Sequence, residues 1–137
     1  TTFVGTERPE LWADKAYVEK VAAGVVDAAL VCGLPPKEFS GEQSGRARAG
    51  HIPGSISVPA GRLVDRESNA FLTEEELREN FALVLDGERI VAYCAGGIAA
   101  TSDALALTLL GHHNVAVYDG SLNEWAADPR LELVVGA

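Results

Sequence analysis

Apolar residues fall in short runs separated by stretches with helical spacing. Four runs read as strands: Gly24 to Leu30, Ser55 to Val58, Arg89 to Tyr93 and Asn114 to Tyr118. Runs this short and this rich in Val and Ile, with little alternation, are what strands buried on both faces of a mostly parallel sheet look like. Between them, Thr73-Glu74-Glu75-Glu76 has the spacing of a capping box, and Leu72 and Leu77 stand where a hydrophobic staple packs, so a helix is expected from there to about Leu85. Ser121-Leu122-Asn123-Glu124 repeats the capping spacing before Trp125. Ile98, Ser102, Leu105 and Leu109 mark one face of another helix, which Gly111 can end, and an opening helix is expected from about Ala13 to Ala23. Alternating strands and helices predict an α/β sandwich of layers, with ligands at the carboxyl ends of the strands. The stretch from Val31 to Gly54 carries Pro35, Pro36, Gly41, Gly45, Gly50, Pro53 and Gly54 and is expected to be a long, functional loop.

The 137 residues suit a single domain, residues 1–137, with residues 1–13 as a linker-like lead-in. There is no methionine and the chain opens Thr1-Thr2-Phe3, so it is expected not to begin at a translation start and to be either a trimmed chain or a piece of a longer protein. No apolar run is long enough to span a bilayer and no signal segment is evident, which predicts no membrane partner and a cytoplasmic location. The net charge of -9 would repel a phosphate backbone, so nucleic acid is not an expected partner. Cys32 and Cys94 are too few for a disulfide scaffold, and with His51, His112 and His113 they show no zinc-ligand spacing, so no metal is expected.

The densest chemistry is at Cys94. It follows the apolar run Arg89 to Tyr93 and heads Cys94-Ala95-Gly96-Gly97-Ile98-Ala99-Ala100, after which a helix begins. A strand, tight loop and helix in that order let the backbone N–H groups of Ala95, Gly96, Gly97, Ile98 and Ala99 turn toward one point, with the positive end of the helix dipole behind them. Such a field favours a thiolate at the loop's start, and hence a nucleophile.

Cys94-x-x-Gly97-x-x-Ala100 resembles the active-site loop of the rhodanese family, and Gly50-His51-Ile52-Pro53-Gly54-Ser55 resembles that family's second hallmark. Phe71 to Arg78, Leu109-Leu110-Gly111, Asn114 to Ser121, and Glu124-Trp125-Ala126 with Asp128-Pro129 read like the C-terminal domain of tandem thiosulfate and 3-mercaptopyruvate sulfurtransferases, a likeness running over roughly residues 24 to 136. The resemblance implies a three-layer rhodanese-like sandwich, a five-stranded parallel sheet flanked by helices. It implies a preceding rhodanese domain in the full-length protein and calls for no cofactor. It also implies that Cys94 takes a sulfur atom from thiosulfate or 3-mercaptopyruvate, holds it as a persulfide and passes it to cyanide or a thiol.

The sequence departs from the family pattern at several places. Ala95, Gly96 and Ala99 stand where relatives carry basic or hydroxyl side chains, and the family's Asp-x-Arg after the first strand reads here as Asp27-Ala28-Ala29, which leaves Arg46, Arg48 or Arg62 to substitute for the arginine. These losses keep open a low-activity or non-catalytic binding domain. A cysteine phosphatase of the same fold is disfavoured, because Ala100 stands where its phosphate-clamping arginine would be. His51 reads as a structural hydrogen-bonding residue. Cys32 lies in Leu30 to Pro36 after the first strand, and its loop is expected on the same edge of the sheet as Cys94, where the two sulfurs could meet.

Overall fold

The computed structural model describes all residues from Thr1 to Ala137. Helix α1 (Lys15–Ala22) starts at Asp14, whose side chain accepts the Tyr17 N–H at 2.8 Å. Strand β1 (Ala29–Cys32) and the one-turn helix α2 (Pro36–Phe39) follow, then β2 (Ser55–Ser57). Helix α3 (Glu74–Asn80) leads into β3 (Ile90–Tyr93), and α4 (Ile98–Leu109), β4 (Val115–Val117) and α5 (Ser121–Trp125) complete the chain. The capping box at Thr73 forms as its spacing predicts: Glu76 N–H donates to Thr73 Oγ1 and Thr73 N–H to Glu76 Oε2. Gly111, with φ of 87°, ends α4, and the His112 and Gly111 N–H groups close its last carbonyls at Leu107 and Thr108.

All strands are parallel, in the order β2-β1-β3-β4. The central β3 is buried throughout, and apolar clusters fill both faces of the sheet: Val18, Phe39, Leu122 and Trp125 on one, Leu77, Phe81, Ala106 and Leu107 on the other. This is the layered α/β architecture that the short apolar runs predict, but the sheet has four strands rather than five. On the outer edge of β4, where a fifth strand would pair, the chain makes a single parallel bridge, Trp12 to Val117, with Ala13 N–H donating to Val117 O at 2.9 Å. A 3-10 turn, Pro9–Leu11, precedes this bridge, and the Asp14 cap of α1 follows it at once, so the extended segment has no length left in which to become a strand.

Two further expectations are corrected. The first strand begins at Ala29, beyond most of the apolar run Gly24 to Leu30, because the Val25 and Val26 N–H groups both turn back onto Lys20 O as the chain leaves α1. Asp27 is therefore exposed, at the amino end of β1, and the carboxyl end is Cys32-Gly33-Leu34. On α4, the stripe of Ile98, Leu105 and Leu109 faces outward, at 86%, 50% and 59% exposure, while Ala100, Asp103, Ala106 and Leu107 are buried. Small alanines on the inner face let this helix approach the sheet closely, and its larger residues are left outside.

Candidate active site

Cys94 lies at the carboxyl end of β3 and is 2% exposed. Its backbone is held from the far side by the segment after β4. Ser121 Oγ accepts the Cys94 N–H at 3.0 Å and donates to Tyr118 O at 2.7 Å, while Leu122 N–H donates to Cys94 O and Asn123 N–H to Ala95 O. Ser121 has a φ of 50°, in the left-handed region that a non-glycine residue adopts only at a cost. The capping spacing at Ser121 thus serves a different purpose from the one expected: the hydroxyl is buried and committed to the Cys94 strand, and α5 has no side-chain cap.

The loop itself is backbone. Gly97 N–H donates to Cys94 Sγ at 3.2 Å. Ala95, Gly96, Ile98 and Ala99 give their N–H groups to no other protein group, so of the five amides expected to converge, one meets the sulfur and four make no hydrogen bond within the protein. Gly97 must be glycine: its φ is 91°, and a Cβ there would lie 2.7 Å from Asp119 Oδ1 and 2.9 Å from Asp119 O.

The three arginines in question separate by what they touch. Arg48 spans the end of α5 and the tail, its guanidinium donating to the carbonyls of Ala126, Asp128 and Leu131, so it is structural. Arg62 is exposed. Arg46 has a nearly buried side chain whose Nε and Nη2 have no hydrogen-bond partner, with Glu38 Oε2 3.7 Å away. It lines a cavity of about 230 Å³ with Asn123, whose amide nitrogen is 3.1 Å from the place a Gly96 Cβ would take, so this cavity adjoins the Cys94 loop.

His51 is structural, as its Pro-Gly setting suggests: it stacks on Phe39 with ring centroids 3.7 Å apart, and its Nδ1 is 2.8 Å from Phe39 O. Cys32 lies within β1, at its end and in register with Tyr93, and packs in the same apolar cluster as Cys94. Both thiols are free and buried, and desolvation pushes the Cys32 thiol up to about 12, which keeps it protonated. Asp27 is far from all this, at the opposite edge of the sheet. Sequence reasoning missed Ser121 as a support of the loop, and it missed Asp103, an acid buried on α4. The only signal for Asp103 was a charge among the alanines and leucines of that helix.

Residues 12–128 match the family model described as "Rhodanese-like domain", and the chain belongs to that family. It is 42% identical over 105 residues to thiosulfate/3-mercaptopyruvate sulfurtransferase 2 of Arabidopsis thaliana, covering 74% of this chain and 29% of that protein. Among solved structures it resembles the anaerobic ergothioneine biosynthesis enzyme from Chlorobium limicola in complex with trimethyl histidine, at 26% identity and a TM-score of 0.82, covering 95% of this chain and 33% of that one. It also resembles EanB captured as a cysteine persulfide with ergothioneine, at 25% identity, a TM-score of 0.82 and the same two coverages. The chain spans well under half the length of these proteins. No helix is long and apolar enough to cross a membrane.

Proposed function

We propose that this domain is a sulfurtransferase in which Cys94 accepts a sulfane sulfur, carries it as a persulfide and gives it to a thiophilic acceptor. The observation that carries this reading is the arrangement at the end of β3: a cysteine whose sulfur already receives the Gly97 N–H, followed by a loop in which four more N–H groups make no hydrogen bond within the protein. With thiosulfate, the Cys94 thiolate attacks the outer sulfur, the donor's S–S bond breaks, and sulfite leaves with the bonding electron pair. The persulfide's terminal sulfur then passes to cyanide or a thiol, and the thiolate is restored. The anionic persulfide rests on the amides of Ala95, Gly96, Gly97, Ile98 and Ala99, where backbone dipoles fixed by the fold stabilise charge with little reorganisation.

Arg46 is the arginine that serves the donor. Its guanidinium edge has no hydrogen-bond partner and only a long 3.7 Å ion pair to Glu38; with the neighbouring Asn123 and the adjoining cavity it gives an anionic tail such as a sulfonate or carboxylate a place to bind in competition with Glu38, which the side chains of Ala95, Gly96 and Ala99 cannot provide. The similarity to named thiosulfate/3-mercaptopyruvate sulfurtransferases supports these two donors over others. The test is sulfur transfer to cyanide from thiosulfate and from 3-mercaptopyruvate, side by side. Turnover with either is expected, and none with both, by a folded protein, would favour the non-catalytic binding domain instead.

A further inference from the structure

Asp103 is fully buried and neither carboxylate oxygen has a hydrogen-bond partner, although buried acids are almost always paired. It projects from α4, the helix that begins in the Cys94 loop. Its carboxyl is seated against Gly33: a Cβ at that position would overlap Asp103 Oδ2 and come within 3.5 Å of the backbone carbon of Ala99. Gly33 is in turn tied to the residue before the nucleophile, since its N–H donates to Tyr93 O at 2.9 Å. One glycine therefore touches the buried acid, the last residue of the loop and the strand that carries Cys94.

The titratable groups on the strands beside this carboxyl are Cys32 on β1 and Tyr93 and Cys94 at the end of β3, none of them a cation. The 3-10 turn Ala60–Arg62 also packs on α4, but Arg62 is exposed and forms no ion pair with Asp103. Nothing present can compensate a charge there.

We propose that Asp103 is a positioning residue for Cys94, holding α4 and the loop closed on Gly33 while it is uncharged and opening them when it ionises, so that it sets an alkaline limit to sulfur transfer. Burial without a partner pushes the carboxyl up to about 8, so the change falls just above neutral pH. Below that, a neutral carboxyl packs against the glycine at far less cost than a lone carboxylate would. Above it, a lone carboxylate must draw in water or push α4 away from the sheet, and either displaces the N–H groups of Ile98 and Ala99. A second effect has the same sign: the new negative charge disfavours an anionic sulfur or donor at Cys94.

The inference rests on the sulfurtransferase reading for its consequence but not for its titration, and the experiment keeps the two apart. The carbonyl stretch of a protonated carboxylic acid is followed by infrared difference spectroscopy between pH 6 and 10 in wild type and Asp103→Asn. The rate of iodoacetamide labelling at Cys94, read from its peptide by mass spectrometry, and sulfur transfer to cyanide are followed over the same range. The wild type is expected to lose one buried-acid band with a midpoint near 8, absent in Asp103→Asn, with transfer falling about tenfold above that midpoint in wild type only. The labelling profile of wild type should depart from that of the variant at the same pH. A band already ionised at pH 6, or labelling profiles that superimpose, would overturn the proposal even if the protein transfers no sulfur. If Asp103→Asn does not fold, the wild-type infrared titration still decides. Absent transfer at every pH, with the band and the labelling as expected, would contradict only the sulfurtransferase reading.

Discussion

Replacing Ser121 by alanine removes the only hydrogen-bond partner of the Cys94 N–H and the only donor to Tyr118 O, both at buried residues. Leaving a buried backbone group unpaired costs about 1–3 kcal/mol, so the two together should cost about 2–6 kcal/mol of folding stability. Ser121→Gly loses the same two bonds but relieves a φ of 50°, a conformation that costs an L residue about 1–2 kcal/mol. Part of that relief is offset by the freedom glycine gains in the unfolded chain, about 0.5–1 kcal/mol. The glycine variant should therefore be less stable than wild type yet up to about 1 kcal/mol more stable than the alanine variant. Urea unfolding followed by far-ultraviolet circular dichroism gives the order, and labelling of Cys94 by iodoacetamide reports whether the loop has shifted with the lost bond. An alanine variant within about 0.5 kcal/mol of wild type would refute the idea that this hydroxyl holds the Cys94 backbone. A glycine variant less stable than the alanine one would refute the strain at Ser121.

Gly97→Ala should cost about 2–4 kcal/mol and abolish persulfide formation, because its Cβ meets Asp119 at 2.7 Å; Gly111→Ala, with similar φ but open space around it, should cost only about 1 kcal/mol in the same urea titration. Arg46→Gln should raise KM for an anionic donor about 10- to 100-fold, the worth of a charge-assisted hydrogen bond, with little loss of stability, whereas Arg48→Gln should lower the melting temperature and leave KM nearly unchanged. For Asp103, the folded protein binds a proton between the unfolded carboxyl value of 3.8 and about 8, so this group's contribution is full at acid pH and declines as pH rises through that window. The stability of Asp103→Asn relative to wild type should then grow by about 1.4 kcal/mol per unit from pH 5 to 8 and level off beyond, and a difference flat with pH would contradict the buried neutral acid.

Where hydrophobic pattern and local chemistry agree, the sequence is readable. The run Ile90 to Tyr93 is apolar at every position because it is buried on both faces, and the Thr73 capping box is decided within four residues. The Cys94 loop is legible for the same reason: a cysteine, two glycines and a helix start are local facts. What depends on packing at a distance is not. Val25 and Val26 are as apolar as any strand residue, and only their hydrogen bonds to Lys20 O keep them out of β1 and leave Asp27 at the wrong end of it. The outward stripe of α4 looks like a core face until the helix is seen to sit on its alanines. Ser121 has the spacing of a cap but points across to Cys94, and the edge beyond β4 receives one bridge instead of a strand because Pro9 and Asp14 crowd it from both sides.

The most direct measurement is intact-protein mass spectrometry after exposure to thiosulfate, on wild type and on Cys94→Ser, with cyanide added afterwards. One added sulfur on wild type, removed by cyanide and absent from Cys94→Ser, is the expected result. No adduct on a folded wild type, or an undiminished adduct on Cys94→Ser, would contradict the assignment of Cys94 as the sulfur carrier.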